Sequence, residues 1–322
     1  MKKLIIKKTE EGQSVFKYLL RVLPSAPSGL LRKSMRKKNI TRNGKKIEGK
    51  EILRAGDEVE VWFSDETWDK FSGSEGKEKA VPPLSFPYPF RDLIVYEDED
   101  VLILNKPADL LTQRDDSGLI SLNDGVLSYL KDAVTAAFRP SVCNRLDRNT
   151  SGLVLAGKNL AALQSLNRLL KDRTLRKYYA AVLFGTLTGE GTLKGYLVKD
   201  RTANRSSIRR EPEAGAVPIE TRYRAVRQFT REGIPLTLVR AHLVTGRSHQ
   251  LRLHFSSLGH PILGDRKYGT GESLRAARAL SVTRQLLHAE TVTFPDTETL
   301  PETLSGKTFT APLPEDMEKL LQ

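Results

Sequence analysis

A stretch without hydrophobic periodicity divides the chain into two unequal parts. Residues 66–90 contain the polar run K-F-S-G-S-E-G-K-E-K, followed by prolines at positions 82, 83, 87 and 89. Proline fixes φ and lacks an N–H donor, so closely spaced prolines interrupt regular elements. We therefore expect a small domain over residues 1–65, a linker over residues 66–90 and a larger domain over residues 91–322.

The small domain is predicted to contain two helices followed by a strand-and-turn unit. Apolar residues recur at helical spacing in two short windows, and a later segment alternates apolar and polar residues. The expected elements are a strand over Leu4–Lys8, a helix from Ser14 to Pro24, a second helix from Ser28, and strands over Ile40–Arg42 and Asp57–Trp62 around a turn at Asn43-Gly44.

Positive charge is concentrated in this small domain. Residues 1–50 carry 15 Lys and Arg against 3 Asp and Glu, whereas the remaining residues carry 37 against 36. Basic residues interleaved with apolar ones at helical spacing indicate a folded surface rather than a solvated tail. Such a surface is expected to bind a polyanion, because neutralising phosphates releases counterions. The candidate contacts are Lys33, Arg36, Lys37, Lys38, Arg42, Lys45 and Lys46.

The larger domain mixes strands and helices without a regular βαβ rhythm, which favours an α+β fold. Asn159 and Ser248 are positioned to cap helices. The expected strands cover Leu102–Leu104, Leu153–Ala156, Tyr178–Phe184, Glu220–Val226 and Leu236–Leu243.

Several classes of protein are excluded by composition and spacing. No apolar run approaches the roughly 18 residues that a membrane span needs. We therefore expect the protein to be located in the cytoplasm. Cys143 is the single cysteine, which excludes a disulfide framework and a cysteine-rich zinc site. His249 and His254 fall on different sides of any helix and no Cys or carboxylate cluster joins them, so no metal site is expected. No glycine fingerprint of a nucleotide cofactor is present.

One aspartate remains as the candidate for chemistry. Asp147 stands between two arginines in N-R-L-D-R-N-T-S-G, residues 144–152. The run D-R-N-T-S-G begins like a calcium loop, but its twelfth position is Lys158, where a bidentate glutamate is required. By elimination, catalysis would fall to a carboxylate held by arginines, acting on a substrate that the basic domain delivers.

The motif N-R-L-D-R-N-T-S-G-L-V-L-A-G-K-N resembles the catalytic motif of the RluA-type pseudouridine synthases. The stretches L-I-L-N-K-P, R-K-Y-Y-A-A-V-L-F-G and L-V-T-G-R-S-H-Q-L-R-L-H-F-S-S-L-G-H-P-I-L-G-D-R-K-Y-G match in the same order. The basic N-terminal part, with L-L-R-K-S-M-R-K-K-N-I-T-R-N-G-K-K-I, resembles the S4 RNA-binding domain. Together these stretches cover nearly the whole chain. The resemblance implies a mixed, mainly antiparallel β-sheet catalytic domain behind a small S4-like RNA-binding domain.

The resemblance also implies the site and the reaction, the isomerisation of uridine in RNA to pseudouridine without cofactor or metal. Asp147 would be the essential carboxylate, as either a covalent nucleophile or a base. Arg252 would pair with Asp147. Arg145 would enter the RNA helix stack at the place that the flipped uridine leaves. Tyr179 would stack on the uracil or transfer a proton. Asn144 departs from the histidine more usual there, which puts the orientation of the loop in doubt. Lys106-Pro107 would support the catalytic loop.

Other roles stay open for these residues. Arg252 could form an ordinary surface ion pair, and Tyr179 could be a core residue whose neighbour Tyr178 faces the other way. RNA is the expected partner, 23S ribosomal RNA before tRNA, and nothing demands more than a monomer. The rival functions are a non-catalytic RNA-binding or ribosome-assembly factor, and a nucleoside hydrolase, whose chemistry usually calls for a second carboxylate.

Overall fold

The computed structural model describes residues 1–72, 86–200, 205–297, 300 and 303–322. Its N-terminal part contains a four-stranded antiparallel sheet in the order β1-β4-β2-β3, with two helices packed on it. The elements are strand β1 (Lys2–Ile5), helices α1 (Val15–Val22) and α2 (Ser28–Arg36), strands β2 (Ile40–Arg42), β3 (Lys45–Lys46) and β4 (Glu58–Val61), and helix α3 (Asp65–Ser72). The predicted order of two helices followed by strands is confirmed.

Local sequence explains where the first helix begins and ends. The Ser14 hydroxyl accepts a hydrogen bond from the Lys17 amide at 3.4 Å, as an N-cap side chain does. The helix ends at Val22, just before Pro24, whose ring would clash with a continued helix. Leu19 and the α2 residue Leu31 are fully buried in the apolar core of this domain.

The predicted irregular segment from residue 66 is partly wrong. Helix α3 runs from Asp65 to Ser72, because Trp68 and Phe71 pack against the N-terminal core and the Ser64 hydroxyl accepts the Thr67 amide hydrogen bond at 3.2 Å. Residues 73–85 lie outside the described residues. At the far end, Phe86 and Phe90 pack against the core of the larger domain, so aromatic burial orders the chain where prolines predicted a linker.

The larger domain carries the remaining elements. Its strands are β5 (Ile94–Glu97), β6 (Val101–Lys106), β7 (Ser141–Val142), β8 (Ser151–Gly157), β9 (Arg176–Phe184), β10 (Glu190–Asp200), β11 (Arg205–Arg209), β12 (Val217–Arg231), β13 (Ile234–Leu243), β14 (Leu287–Thr293) and β15 (Thr308–Thr310). Its helices are α4 (Leu122–Tyr129), α5 (Leu160–Lys171), α6 (Gln250–Ser257), α7 (Gly271–Ala279) and α8 (Glu315–Leu321). Across the ranges described, no helix is long and apolar enough to cross a membrane.

These strands build one eleven-stranded sheet. Nine strands follow the order β11-β10-β12-β13-β9-β14-β8-β6-β5, while β15 pairs with β14 and β7 pairs with β8. The pair β14–β8 is parallel and the other pairs are antiparallel. The expectation of an α+β fold with a mixed, mainly antiparallel sheet is confirmed.

The two faces of the sheet are covered by different helices. Successive strand residues point to opposite faces, so Tyr179 and Ala180 on β9 belong to different cores. Tyr179 packs with residues of α4 and α6, whereas Ala180 packs with residues of α7 and α8. The face with Tyr179 is therefore the one where α6 approaches the start of β8.

The two domains are in contact through the loop before β7. Ala137 is buried among the apolar residues of the N-terminal core, and Arg21 donates a hydrogen bond to its carbonyl at 3.2 Å. Lys8 forms an ion pair with Glu99 at 2.9 Å on the surface beside them. The basic domain therefore packs on the same domain that carries Asp147.

Gly152 allows the parallel pairing of β8 with β14. Its φ is +111°, and a Cβ built there would overlap the carbonyl oxygen of Ala289 on the neighbouring strand. Ala289 is its direct partner in the register. Only glycine satisfies both the backbone conformation and the close approach.

We expect Gly152→Ala to destabilise the protein by more than about 3 kcal/mol, since it adds a backbone clash to positive-φ strain. Gly56→Ala is the matched control, because Gly56 also has positive φ, +85°, but nothing within 4 Å of its Cβ position. The control should lose about 1–2 kcal/mol. Denaturant unfolding measures both; equal losses would show that the approach of the strands is not limiting.

Candidate active site

Asp147 lies in the loop between β7 and β8, where it lines an open cavity of about 970 Å³. Its side chain is 26% exposed. Oδ2 accepts a hydrogen bond from Nη1 of Arg252 at 2.8 Å, and Oδ1 has no hydrogen-bond partner among the described residues. The predicted pair of Asp147 and Arg252 is thus brought together from positions 105 residues apart.

Arg252 is held from behind by a second carboxylate, Asp265. Its Nε and Nη2 donate to the two oxygens of Asp265 at 2.7 and 2.8 Å, and Asp265 also accepts the amides of Lys267 and Tyr268. The side chain of Asp265 is 1% exposed and that of Arg252 is 9% exposed. This bidentate geometry fixes the guanidinium plane, so that Nη1 faces Asp147.

The charges of Asp147, Arg252 and Asp265 stabilise one another. Burial by itself lowers the pKa of Arg252, but the hydrogen bonds and charges of Asp265 and then of Asp147 outweigh burial and raise that pKa. Burial raises the pKa of Asp265, while Arg252 and the two backbone amides lower it more strongly. The pair Arg252–Asp265 is therefore ionised throughout the physiological pH range.

The backbone of the Asp147 loop is fixed by side chains from elsewhere in the fold. The hydroxyl of Thr112 donates to the Leu146 carbonyl at 2.8 Å and accepts the Leu146 amide at 3.1 Å. Arg284 donates to the Asn149 carbonyl at 3.1 Å. Polar groups of the loop are thus satisfied without solvent, which keeps Asp147 in one place.

Asn144 anchors the start of the same loop. Its Oδ1 accepts the Leu155 amide at 2.8 Å and its Nδ2 donates to the Leu153 carbonyl at 3.2 Å. Both partners lie on β8, the strand that follows the loop. The amide side chain satisfies a donor and an acceptor together, so the residue that departs from the usual histidine still ties the loop to the sheet.

Lys106 is a fully buried lysine at the end of β6. Its Nζ donates to the carbonyls of Pro107, Leu110 and Arg148 at 2.8, 2.8 and 2.9 Å. Burial, and next the charge of Arg284, lower the pKa of Lys106 to about 7. The bond to Arg148 reaches the residue after Asp147, so Lys106 contacts the loop that the sequence expected it to support.

Tyr179 lines the cavity beside Asp147. Its ring is buried in the core under α6, and its hydroxyl makes no hydrogen bond to any described residue. Burial, and next the charge of Asp147, raise the pKa of Tyr179, so the phenol is neutral at physiological pH. Tyr178 faces the other side of the sheet, where it stacks on His242 at 4.9 Å between ring centroids, as its strand position predicted.

Cationic side chains form the walls of the cavity. Arg145 is exposed at its rim and makes no ion pair with the described residues. Lys177 lies two residues before Tyr179 on β9, and its Nζ reaches the opposite loop, 3.4 Å from where a Cβ on Gly246 would lie. Burial, and next the charge of Arg173, lower the pKa of Lys177. Besides Arg148 and Arg252, which pair with Asp109 and Asp147, the basic residues that line the cavity are Arg145, Lys171, Arg173, Lys177, Arg247 and Lys267, here called the cationic wall.

The predicted cap at Ser248 is wrong. Helix α6 begins at Gln250 and its N-cap is His249, which makes no side-chain cap and has left-handed backbone angles, φ +58° and ψ +16°. His249 lines the cavity instead, with Nε2 3.7 Å from Oδ2 of Asp147. The tight turn before α6 directs the side chain of His249 towards the carboxylate of Asp147 rather than along the helix axis.

Asp265, His249 and Tyr268 were missed as site residues by sequence reasoning. All three lie in the long stretch that ends in G-D-R-K-Y-G, which carried the resemblance, but no spacing rule links Asp265 to Arg252 thirteen residues earlier. Asp265 lies in the loop between α6 and α7, where neither spacing nor capping marks it as a partner of Arg252. Tertiary contacts, rather than spacing, bring these residues to Asp147.

The arrangement suits chemistry on a neutral or cationic reacting centre. An ionised carboxylate with one oxygen held and the other open can act as a nucleophile or a base. Among the described residues, no three His, Cys, Asp or Glu side chains are grouped to hold a metal ion. Asp147 is the carboxylate that combines cavity exposure with a buried cationic partner.

Comparisons with known proteins identify the family. A family model described as RNA pseudouridylate synthase matches residues 100–257. The whole chain is 33% identical to ribosomal large subunit pseudouridine synthase C of Pasteurella multocida (strain Pm70), covering 93% of that protein. Identity to the protein of that name from Escherichia coli (strain K12) is 32%, over 97% of this chain and 93% of the relative. The solved structure of human RNA pseudouridylate synthase domain containing 1 aligns with a TM-score of 0.53 and 27% identity, over 71% of this chain and 92% of the human chain. With its ordered motifs and its sheet of the expected type, the chain belongs to the RluA-type pseudouridine synthases, enzymes that isomerise uridine in RNA.

Proposed function

We propose that this enzyme isomerises specific uridines of large-subunit, 23S, ribosomal RNA, with Asp147 as the residue that acts on the ribose. The observation that carries this proposal is the 2.8 Å hydrogen bond from Arg252 to Oδ2 of Asp147, together with the ion pair that holds Arg252 on the buried Asp265. This hydrogen bond fixes the position of Oδ2 and leaves Oδ1 open to the cavity. The uracil would leave C1′, turn within the cavity and rejoin through C5.

The cavity can hold a nucleotide that has left a helix. Its volume of about 970 Å³ lies at the upper end of the range for small-molecule sites, and its mouth is open. Everting a base from a stack costs a few kcal/mol, which contacts in the pocket must offset. The exposed Arg145, at the rim and free of ion pairs with described residues, is proposed to fill the vacated position.

Tyr179 is proposed to contact the uracil. Its ring forms part of the cavity wall next to Asp147, and its hydroxyl is free of hydrogen bonds within the described structure. A neutral phenol in that position can stack by its ring and exchange one proton by its hydroxyl. As a relay, the hydroxyl would pass its own proton on through water while it receives the proton lost from C5 of the rejoined uracil, so that the phenol stays neutral overall.

The cationic wall favours an RNA substrate over a free nucleoside. Lys177 is half-buried, and no carboxylate among the described residues pairs with it or with the nearby Arg173. Uncompensated cations in a partly desolvated site are unfavourable unless the ligand brings negative charge. RNA phosphates next to the target nucleotide supply that charge.

The N-terminal domain is proposed to bind RNA as an S4-type module. Six of its candidate cations are exposed and make no ion pair with described residues: Lys33, Arg36, Lys37, Lys38, Lys45 and Lys46. Arg42 differs, because its Nη2 is 2.6 Å from Oδ2 of Asp57 and its side chain is 21% exposed. The six exposed cations, rather than Arg42, would thus contact phosphates.

Ribosomal RNA is preferred to tRNA because the full-length relatives are named for the ribosomal large subunit. A target in ribosomal RNA supports a cytoplasmic location, and we propose a monomer because the described residues of one chain build the site. A binding factor that lacks activity is the rival outcome of the following test.

We expect Asp147→Asn to lower the rate of pseudouridine formation by at least about 10³-fold, since the amide removes the anionic oxygen but keeps the side-chain volume. The assay uses uridine-labelled large-subunit rRNA and tRNA transcripts with purified protein. Product only on rRNA supports the proposed target, and product only on tRNA replaces it. Product from Asp147→Asn at the wild-type rate would remove Asp147 from catalysis, and no product from either protein would favour the binding factor.

We expect Lys177→Gln to raise KM for a short RNA substrate by about 10-fold or more, because it removes a charge-assisted phosphate contact, while kcat changes little. Lys177→Arg keeps the charge and should retain most of the affinity. A loss confined to kcat would contradict a binding role for Lys177.

Replacing Lys33 and Lys37 together by Ala should reduce the slope of log affinity against log salt by roughly 1.5, because each lost phosphate contact removes about 0.7–0.9. The matched control replaces Arg275 and Arg278 by Ala. These are exposed cations of α7, which covers the face of the large sheet opposite to Tyr179 and the cavity. Filter binding at several salt concentrations measures the slope. Equal changes in both double variants would place the RNA elsewhere.

A further inference from the structure

The turn before α6 holds a residue in an unfavourable backbone conformation next to Asp147. His249 has φ +58° and ψ +16°, the left-handed region that non-glycine residues rarely adopt. Its neighbour Gly246 in the same loop does not have positive φ. Strain at a residue that faces an active site persists only when surrounding contacts hold it there.

A hydrogen bond and a ring contact with Tyr268 hold the imidazole of His249, and its other ring nitrogen faces Asp147. Nδ1 is 2.8 Å from the hydroxyl of Tyr268, and Nε2 is 3.7 Å from Oδ2 of Asp147. The imidazole and phenol rings also meet edge to face, 5.5 Å apart. Tyr268 is itself tied to the buried pair, since its amide donates to Asp265 at 3.1 Å and its ring lies under the Arg252 guanidinium at 5.2 Å.

This geometry selects one tautomer. An ionised Asp147 repels a bare ring nitrogen, so Nε2 carries the proton and Nδ1 accepts the hydrogen bond from the Tyr268 hydroxyl. The ring is neutral at physiological pH, because burial lowers the pKa of His249, and the charge of Asp147, which opposes this, is offset by Arg252 and Lys267. The charged and titratable groups around the ring are Asp147, Arg252, Asp265, Lys267 and Tyr268.

We propose that His249, oriented by Tyr268, is a positioning residue that directs a second N–H at Oδ2 of Asp147 and so turns Oδ1 towards the ribose. Arg252 supplies the first donor to Oδ2, which fixes the position of the carboxylate but still allows rotation about that bond. A second donor from another direction removes the rotation. The separation of 3.7 Å is longer than a hydrogen bond, and catalytic contacts of this length often tighten when substrate closes the site.

This inference rests on the proposed role of Asp147, and three variants test it. His249→Gly keeps the left-handed turn, which glycine adopts without strain, but removes the imidazole. His249→Gln restores an amide N–H that can reach Oδ2, and Tyr268→Phe removes only the hydroxyl that orients the ring. kcat and KM for pseudouridine formation and the thermal midpoint Tm are measured for each full-length protein.

We expect His249→Gly to lower kcat by roughly 10- to 100-fold, because a misdirected catalytic group loses about this much, with KM within about twofold. Its Tm should stay within about 3 °C of the wild type, since the variant leaves the turn unstrained. His249→Gln should recover part of the lost kcat. Tyr268→Phe should lower kcat less than His249→Gly does.

Three results would overturn the proposal: wild-type kcat in His249→Gly, a loss that appears only in KM, or a loss that His249→Gln fails to rescue and that follows a fall in Tm. The last result would assign His249 to the stability of the turn. Asp147→Asn separates this inference from the proposed function. An inactive Asp147→Asn beside a fully active His249→Gly refutes only the role of His249, whereas an active Asp147→Asn refutes the function on which both rest.

Discussion

The buried guanidinium of Arg252 is the interaction on which the site depends. Taking an arginine out of water is strongly unfavourable unless its donors are paired, and two carboxylates pair three of them here. Asp265 is almost wholly buried and makes the bidentate contact, so it fixes where the charge lies. Asp147 receives the remaining donor on the cavity side. The buried carboxylate of Asp265 and the cavity-facing carboxylate of Asp147 thus share one cation.

This shared cation links parts of the fold that are remote in sequence. Arg252 belongs to α6, Asp265 to the loop after it, and Asp147 to the loop before strand β8. The loop of Asp147 is held in turn by Thr112, Lys106, Asn144 and Arg284, mostly through its backbone carbonyls and amides. Preorganisation of this kind places the charge before substrate arrives, which is the main way a protein lowers the barrier of a polar reaction.

The proposed function divides recognition of RNA between the two domains. The exposed cations of α2 and its following hairpin would act through screened charge and provide affinity without much sequence information. The cationic wall around Asp147 would act at contact distance, in a partly desolvated cavity where electrostatic interactions are stronger. Packing of Ala137 into the N-terminal core joins the two domains that carry these cations.

Sequence alone predicted most of the local elements and indicated Asp147 as the candidate for the reacting group. Capping by Asn159, alternation along β9 and the motif around Asp147 are all short-range patterns, so they could be predicted. The pairing of Asp147 with Arg252 came from family resemblance. Aromatic packing overrode the polar composition in α3 and the proline signals around Phe86, and tertiary context overrode the cap expected at Ser248.

Only the tertiary structure decided which residues surround the carboxylate. Asp265, His249 and Tyr268 carry no local signal, because an aspartate, histidine or tyrosine in a loop has the same short-range pattern whether it is buried against a guanidinium or solvated. Their roles arise from desolvation and from distances set by the packing of α6 on the sheet. Those quantities depend on contacts between distant segments, and the one-dimensional pattern of the chain does not contain them.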